Sequence, residues 1–288
     1  SFYWLFIVMM LMSFFWSASL PLIEATTLSH LGDSTARYGS IRAWGSVGFV
    51  CAVVGIGYLL DTTEIVSLLW WVLGFKLGIV FFSWRVPEAE VISHSTDSLS
   101  IKQIFKKPSI LAFFIACLLM AFAHGPYYTF YSIYLVEHGY SKGVIGWLWA
   151  IGVICEIGVF FLIPRVMKWF GLKYILVFSF CCAVIRFLMI GWGVEWPVII
   201  LIAQILHAVT YGAHHAAAMM VIHHFFRGRH QAKGQAFYTS FTFGLGGALG
   251  GIFSGYAWDW LGPEFTFSMS GLAAFLGLGL IIRKVNIR

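Results

Sequence analysis

Apolar runs of about 20 residues follow one another from end to end of this chain, separated only by short polar breaks. They occupy roughly 2–28, 40–60, 65–84, 109–135, 143–164, 172–193, 197–224, 234–258 and 265–283. A hydrocarbon core of about 30 Å takes about 20 residues at 1.5 Å per residue, so each run has the length of a membrane-spanning helix. The 288 residues are 60% hydrophobic and 10% charged, where a soluble domain carries about 25% charged residues. No fold of this length hides that much apolar surface from water. A β-barrel would need alternating segments of about 10 residues, and these do not occur. The expected fold is an all-α membrane protein, a bundle of nine spans with the lipid bilayer as its principal partner.

Loop charges give the expected orientation. Taking the breaks alternately, one side holds Arg37, Arg42, Arg85, Lys102, Lys106, Lys107, Arg165, Lys168, Lys173, Arg227, Arg229, Lys233, Arg283, Lys284 and Arg288. The other side holds Lys142 alone, together with Asp61, Glu64, Glu137, Glu195, Asp259 and Glu264. By the positive-inside rule the first side is cytoplasmic and carries the C-terminus; the expected location is a bacterial-type inner (plasma) membrane. The longest break, 86–108, reads as a cytoplasmic linker between three spans (1–85) and six (109–288). The chain opens on Ser, directly in an apolar run. Carriers are often built from three-helix repeats, so it is expected to lack the first three-helix unit of a twelve-span carrier.

Cys51, Cys117, Cys155, Cys181 and Cys182 all lie within apolar runs and have no metal-ligand spacing. They read as small core residues. No metal and no cofactor are expected.

Charges within a bilayer are costly and point to function. Glu24 falls late in the first span, Lys76 in the third, Glu156 in the fifth, Arg186 in the sixth, and His207, His214 and His215 in the seventh. Burial disfavours a carboxylate and an approaching arginine favours it, so Glu156, Arg186 and His207 suit a network that loads and releases a proton. The alternative is a static charge pair that fixes helix register. Lys76 either pairs with Glu24 or snorkels towards the cytoplasmic face. At α-helical spacing His207, Tyr211 and His214 share one face, with His215 about 100° further round. Gln204 and Thr210 add polar groups beside them. His223, His224 and His230 read as interfacial.

His124-Gly125-Pro126-Tyr127-Tyr128 breaks the fourth span. A proline inside a span frees a backbone carbonyl, which is tolerated only against protein or a wet cavity. His124, Tyr127 and Tyr128 are therefore candidate lining residues, the tyrosines stacking on a substrate ring; ordinary packing is the alternative. In the eighth span Gly246/Gly250 and Gly251/Gly255 have the spacing of close helix contacts.

Several stretches resemble the major facilitator superfamily, and within it the proton-coupled permeases near lactose permease and the 3-phenylpropionate transporters. They are Tyr38-Gly39-Ser40-Ile41-Arg42-Ala43-Trp44-Gly45-Ser46-Val47, His124 with Tyr127-Tyr128 and Phe130, Leu148-Trp149, Glu156, Cys182-Ala183-Val184-Ile185-Arg186 and Gln204-Ile205-Leu206-His207. The resemblance implies that these are spans four to twelve of a major facilitator-type bundle. It also implies that Glu156, Arg186 and His207 serve substrate and proton. One departure stands out: where such carriers place a proton-carrying Glu three residues after the His, this chain has Thr210. The implied activity is proton-coupled uptake of a small organic solute, an aromatic carboxylate ahead of a sugar or nucleoside, by a monomer with the proton as coupling ion.

Two other classes fit less well. A histidine-box oxygenase would need ligands one helical turn apart with supporting carboxylates, and His214-His215 and His223-His224 are nine residues apart without them. A receptor or scaffold would leave the buried charges unexplained. The basic residues are scattered over short loops, so no nucleic-acid partner is expected.

Overall fold

A computed structural model describes residues 2–31, 38–87, 107–226 and 230–286, and every long element among them is helical. In chain order these are α1 (Phe2–Leu31), α2 (Tyr38–Thr62), α3 (Ser67–Ser83), α4 (Pro108–Ala123), α5 (Gly125–Glu137), α6 (Lys142–Phe170), α7 (Leu172–Trp192), α8 (Pro197–His207), α9 (His214–Phe225), α10 (His230–Tyr238), α11 (Gly247–Leu261) and α12 (Pro263–Lys284). A π-helical segment, Ala208–Ala213, joins α8 to α9, and a second, Thr239–Gly246, joins α10 to α11. With α4 and α5 meeting at His124, the described helices form nine rods at the nine positions expected from the sequence. Among the described residues six stretches are long and apolar enough to cross a membrane: Ala43–Thr62, Pro108–Glu137, Lys142–Phe170, Leu172–Trp192, Pro197–Phe225 and Pro263–Lys284. Most of the expected linker, including its lysine-bearing part at 100–106, lies outside the described residues.

The chain divides into two units, residues 1–48 with 64–94 and residues 49–63 with 95–288. In the first, the side chains of residues 3–15 are all exposed and α3 buries none of its residues. Its polar side chains turn back on their own helices. Ser19 Oγ donates to Phe15 O at 3.2 Å, Thr27 Oγ1 to Ile23 O at 2.7 Å, and His30 Nδ1 to Thr26 O at 2.8 Å. Such bonds hide polar hydrogens from a surrounding that accepts none.

The second unit has a core of its own. Phe113, Phe114, Phe180, Phe187 and Phe267 are fully or almost fully buried, and α12 lies along α7 and α4. Small residues let the rods close up: Gly277 faces the Phe180 ring, and an added Cβ would have no room there. The outer surface is the reverse of a soluble protein's, with Phe161, Trp169, Tyr174 and Trp260 largely exposed. A surface so apolar suits lipid rather than water. Two glycines with positive φ, Gly171 (77°) and Gly262 (81°), end α6 and α11. The sequence places the end of the fifth span at Pro164, yet α6 runs through it to Phe170. The proline sacrifices one backbone bond and the left-handed glycine makes the turn.

Candidate functional site

Three irregularities interrupt the rods of the second unit, and all three border one cavity of about 160 Å³. The first is the α4–α5 break, which presents His124, Gly125 and Tyr128. The second is the π segment after α8, with Thr210 and Tyr211. The third is the π segment after α10, with Thr242 and Phe243. Met120, Cys117, His214, His215 and Tyr238 close the remaining walls. Pro126 has no N–H to offer Phe122 O, and Gly250 of α11 packs against that same residue so tightly that a Cβ would collide with it. π turns are uncommon and collect at functional sites.

Arg186 is the polar centre beside this cavity and is fully buried. Its Nε donates to Ala203 O at 2.9 Å. Its Nη1 lies 3.3 Å from His124 Nε2 and donates to Thr210 Oγ1 at 3.4 Å. His124 Nδ1 is 2.8 Å from Met120 O. A carbonyl only accepts, so Nδ1 carries the proton and Nε2 offers its lone pair to the guanidinium. The Arg186 Cζ stands 4.2 Å from the centre of the Tyr127 ring, a cation–π distance. Tyr127 in turn donates to Gln204 Oε1 at 3.0 Å. Its ring tilts against Trp149 at 4.7 Å and His207 at 5.4 Å. Within this cluster Arg186 Nη2, Gln204 Nε2 and His207 Nδ1 are buried without hydrogen-bond partners among the described residues.

The π segment changes which residues share a face. Helical spacing groups His207, Tyr211 and His214; in the structure His207 stacks on Tyr211 (5.4 Å, 11°) and Tyr211 on His215 (6.2 Å, 11°). An i→i+5 ladder winds more than four residues per turn, so positions four and eight apart stay aligned. His214 is turned to α7 instead, its Nδ1 3.3 Å from Ser179 Oγ. The expectation that His214 joins the face and His215 leaves it is thus reversed.

The close partners of the guanidinium include the backbone of Ala203, His124, Thr210 and the Tyr127 ring. A Cβ on Gly212 would come 2.8 Å from Glu156 Cγ, which puts the carboxylate arm against the π segment one residue beyond Tyr211. One turn back on α6, Gly152 faces His207 and Gln204. Tyr128, half exposed, lies over Trp149 at 6.3 Å and 19°. Glu24 lies in α1 with its side chain outside the described residues. Sequence reasoning did not single out Ser179, Tyr238 or Thr242, and it noted Trp149 only within the resembling stretch Leu148-Trp149. Thr242 sits in a glycine-rich span and carries no signal of its own.

Comparison with known proteins gives the context. Residues 1–269 match the family described as "MFS_1 like family". A probable 3-phenylpropionic acid transporter of Escherichia coli (strain K12) is 30% identical over 274 residues, covering 94% of this chain and 72% of the relative. A putative nucleoside transporter from the same organism is 24% identical over 283 residues, 89% of this chain and 65% of its own length. Among solved structures, that of the nucleoside transporter NupG superposes with a TM-score of 0.78 at 17% identity. It covers 94% of this chain and 73% of that one.

Proposed function

Because this chain belongs to the MFS_1 like family, and is a multi-pass membrane transporter of the major facilitator type, we propose that it takes up a small aromatic carboxylate together with protons. The observation that carries this is the unpartnered Nη2 of Arg186, buried over the face of Tyr127. A buried guanidinium with an idle N–H pair is strongly disfavoured until an anion meets it. A carboxylate does so with two charge-assisted bonds. Tyr127, Tyr128 and Trp149 offer ring faces for the rest of such a molecule. The name of the 30%-identical relative points the same way.

Proton coupling then falls to Glu156. Thr210 accepts from the guanidinium and has no proton to exchange at neutral pH. Glu156 is a carboxyl group in a membrane-spanning helix with its arm against a π segment, and intramembrane carboxyl groups commonly mark proton pathways. The C-terminus faces the cytoplasm in this reading, which follows the loop charges. A nucleoside is the second reading: Gln204 Nε2 and His207 Nδ1 are neutral groups without partners that suit a base or sugar hydroxyl. Uptake of labelled 3-phenylpropionate and of uridine into proteoliposomes, with and without an inward proton gradient, separates the two. Gradient-driven accumulation of the acid alone is expected; accumulation of uridine alone transfers the reading to nucleosides.

A further inference from the structure

Asp61 stands where its own helix disfavours it. The C-terminal end of an α-helix carries partial negative charge, and Asp61 is the second-last residue of α2. Its carboxylate serves a different helix: Oδ1 accepts from the Lys142 N–H at 2.7 Å and Oδ2 from the Gly143 N–H at 2.9 Å, at the start of α6. Two further bonds join the same helix ends. Lys142 Nζ donates to Leu60 O at 2.6 Å, and Trp147 Nε1 donates to Tyr58 OH at 3.1 Å. Beside these bonds the helices touch through their backbones. A Cβ on Gly57 would stand 2.6 Å from Lys142 O, and one on Gly146 would run into Val53 O.

This joint is built differently from the core of the second unit. Between Phe49 and Thr62, α2 buries only Gly57 and Leu60. The α7–α12 contact instead closes over Phe180 and Phe267, both fully buried, with Gly277 against the first ring and Gly191 against the second residue. Parting α7 from α12 would forfeit that packing. Parting α2 from α6 forfeits mainly polar bonds at the helix ends. Asp61, Tyr58 and Trp147 are all exposed, so water can take over each bond, including those of the first N–H groups of α6.

Many carriers open their site to one side at a time by moving one bundle of helices against another. α2 belongs to the first three rods of this chain and α6 to the last six; α6 also bears Trp149 and Glu156 further along. We propose that the joint is a releasable latch. With the Asp61 bonds made, it holds the outer ends of α2 and α6 together, on the side opposite the basic loops. When water replaces those bonds, the two helices part from their ends inward past Gly146. The inference does not depend on which solute is carried.

The test is labelling with a charged maleimide, which travels only with water, on the chain in nanodiscs. Peptide mass spectrometry identifies each labelled position. Val53 and Leu60 are seven residues apart, two helical turns, and lie on the face of α2 that meets α6. Leu60→Cys reports on the end of the joint and Val53→Cys on its inner part. Cys117, 0% exposed, reports on the fold. Adding Asp61→Ala is expected to speed labelling at both positions about tenfold, the factor that loss of one helix cap corresponds to, while Cys117 stays unlabelled. A rise at position 60 alone shows Asp61 to be a local cap and overturns the latch. An unchanged rate at both positions overturns it as well. Labelling of Cys117 would mean that Asp61→Ala has lost its fold, and Tyr58→Phe, which removes a separate bond, then decides. Faster labelling at both positions with Cys117 silent upholds the latch, and any other result in that variant overturns it.

Discussion

Asp61, the second-last residue of α2, closes the N-terminus of α6: its Oδ1 accepts from the Lys142 N–H at 2.7 Å and its Oδ2 from the Gly143 N–H at 2.9 Å. Lys142 answers with Nζ, which donates to Leu60 O at 2.6 Å, while Ser141 Oγ accepts from Val144 N–H. The first N–H groups of a helix have no partner inside it and carry partial positive charge, so a borrowed carboxylate serves both needs. Asp61→Ala should lower stability by about 1–2 kcal/mol and Asp61→Asn by less. Thermal unfolding in detergent measures this, and equal midpoints for all three proteins would show the cap to be idle.

The same pair of helices meets through glycine. A Cβ on Gly57 would stand 2.6 Å from Lys142 O, and one on Gly146 would run into the backbone at Val53. Gly158, on the same helix, has nothing within 4 Å. Gly146→Ala should therefore cost about 1–3 kcal/mol through overpacking, whereas Gly158→Ala should be neutral or mildly stabilising through helix propensity. If both variants melt together, the close approach does not hold the helices.

Tyr127 has two roles that one atom separates. Tyr127→Phe keeps the ring under Arg186 and removes the bond to Gln204, leaving a buried amide with neither end paired. The expected loss is about 1–3 kcal/mol of stability, with carboxylate binding retained. Tyr127→Leu removes the ring as well and should weaken that binding. Titrating 3-phenylpropionate against both variants tests the order.

Arg186 is held by three directional contacts that lysine cannot reproduce. Arg186→Lys should reduce affinity for an aromatic acid at least tenfold, or about 1.4 kcal/mol. Undiminished binding in this variant would remove the guanidinium from substrate recognition.

Glu156→Gln abolishes the exchangeable proton and little else in shape. Accumulation driven by a pH gradient should disappear while exchange of substrate across the membrane continues, since exchange needs no net proton movement. Gradient-driven uptake that survives this substitution assigns coupling to a different group.

The positions of the rods were legible because bilayer thickness imposes run length, and the break at His124 because Gly-Pro has few other uses within a span. The glycine spacing in the eighth span was legible only in part. Gly246 and Gly250 press on Leu118 and Phe122, but a Cβ on Gly255 would meet nothing within 4 Å, because spacing alone does not say which side faces a neighbour. Arg186, His207, His124 and Tyr127 lie together in the structure, and Glu156 reaches the π segment at Gly212. What could not be read was the π segment, since Ala208-Val209-Thr210-Tyr211-Gly212-Ala213 contains nothing that an α-helix refuses.

That segment has the arithmetic of an insertion. His207 and His215 are eight residues apart; removing one residue between Ala208 and Ala213 leaves them seven apart, the ordinary α spacing for a shared face. A relative one residue shorter here would keep the same ring stack on a plain helix. Aligning such a relative to this chain requires a gap of one within 208–213. Without it, the column belonging to His215 is assigned to His214, a residue that faces a different helix and answers to Ser179.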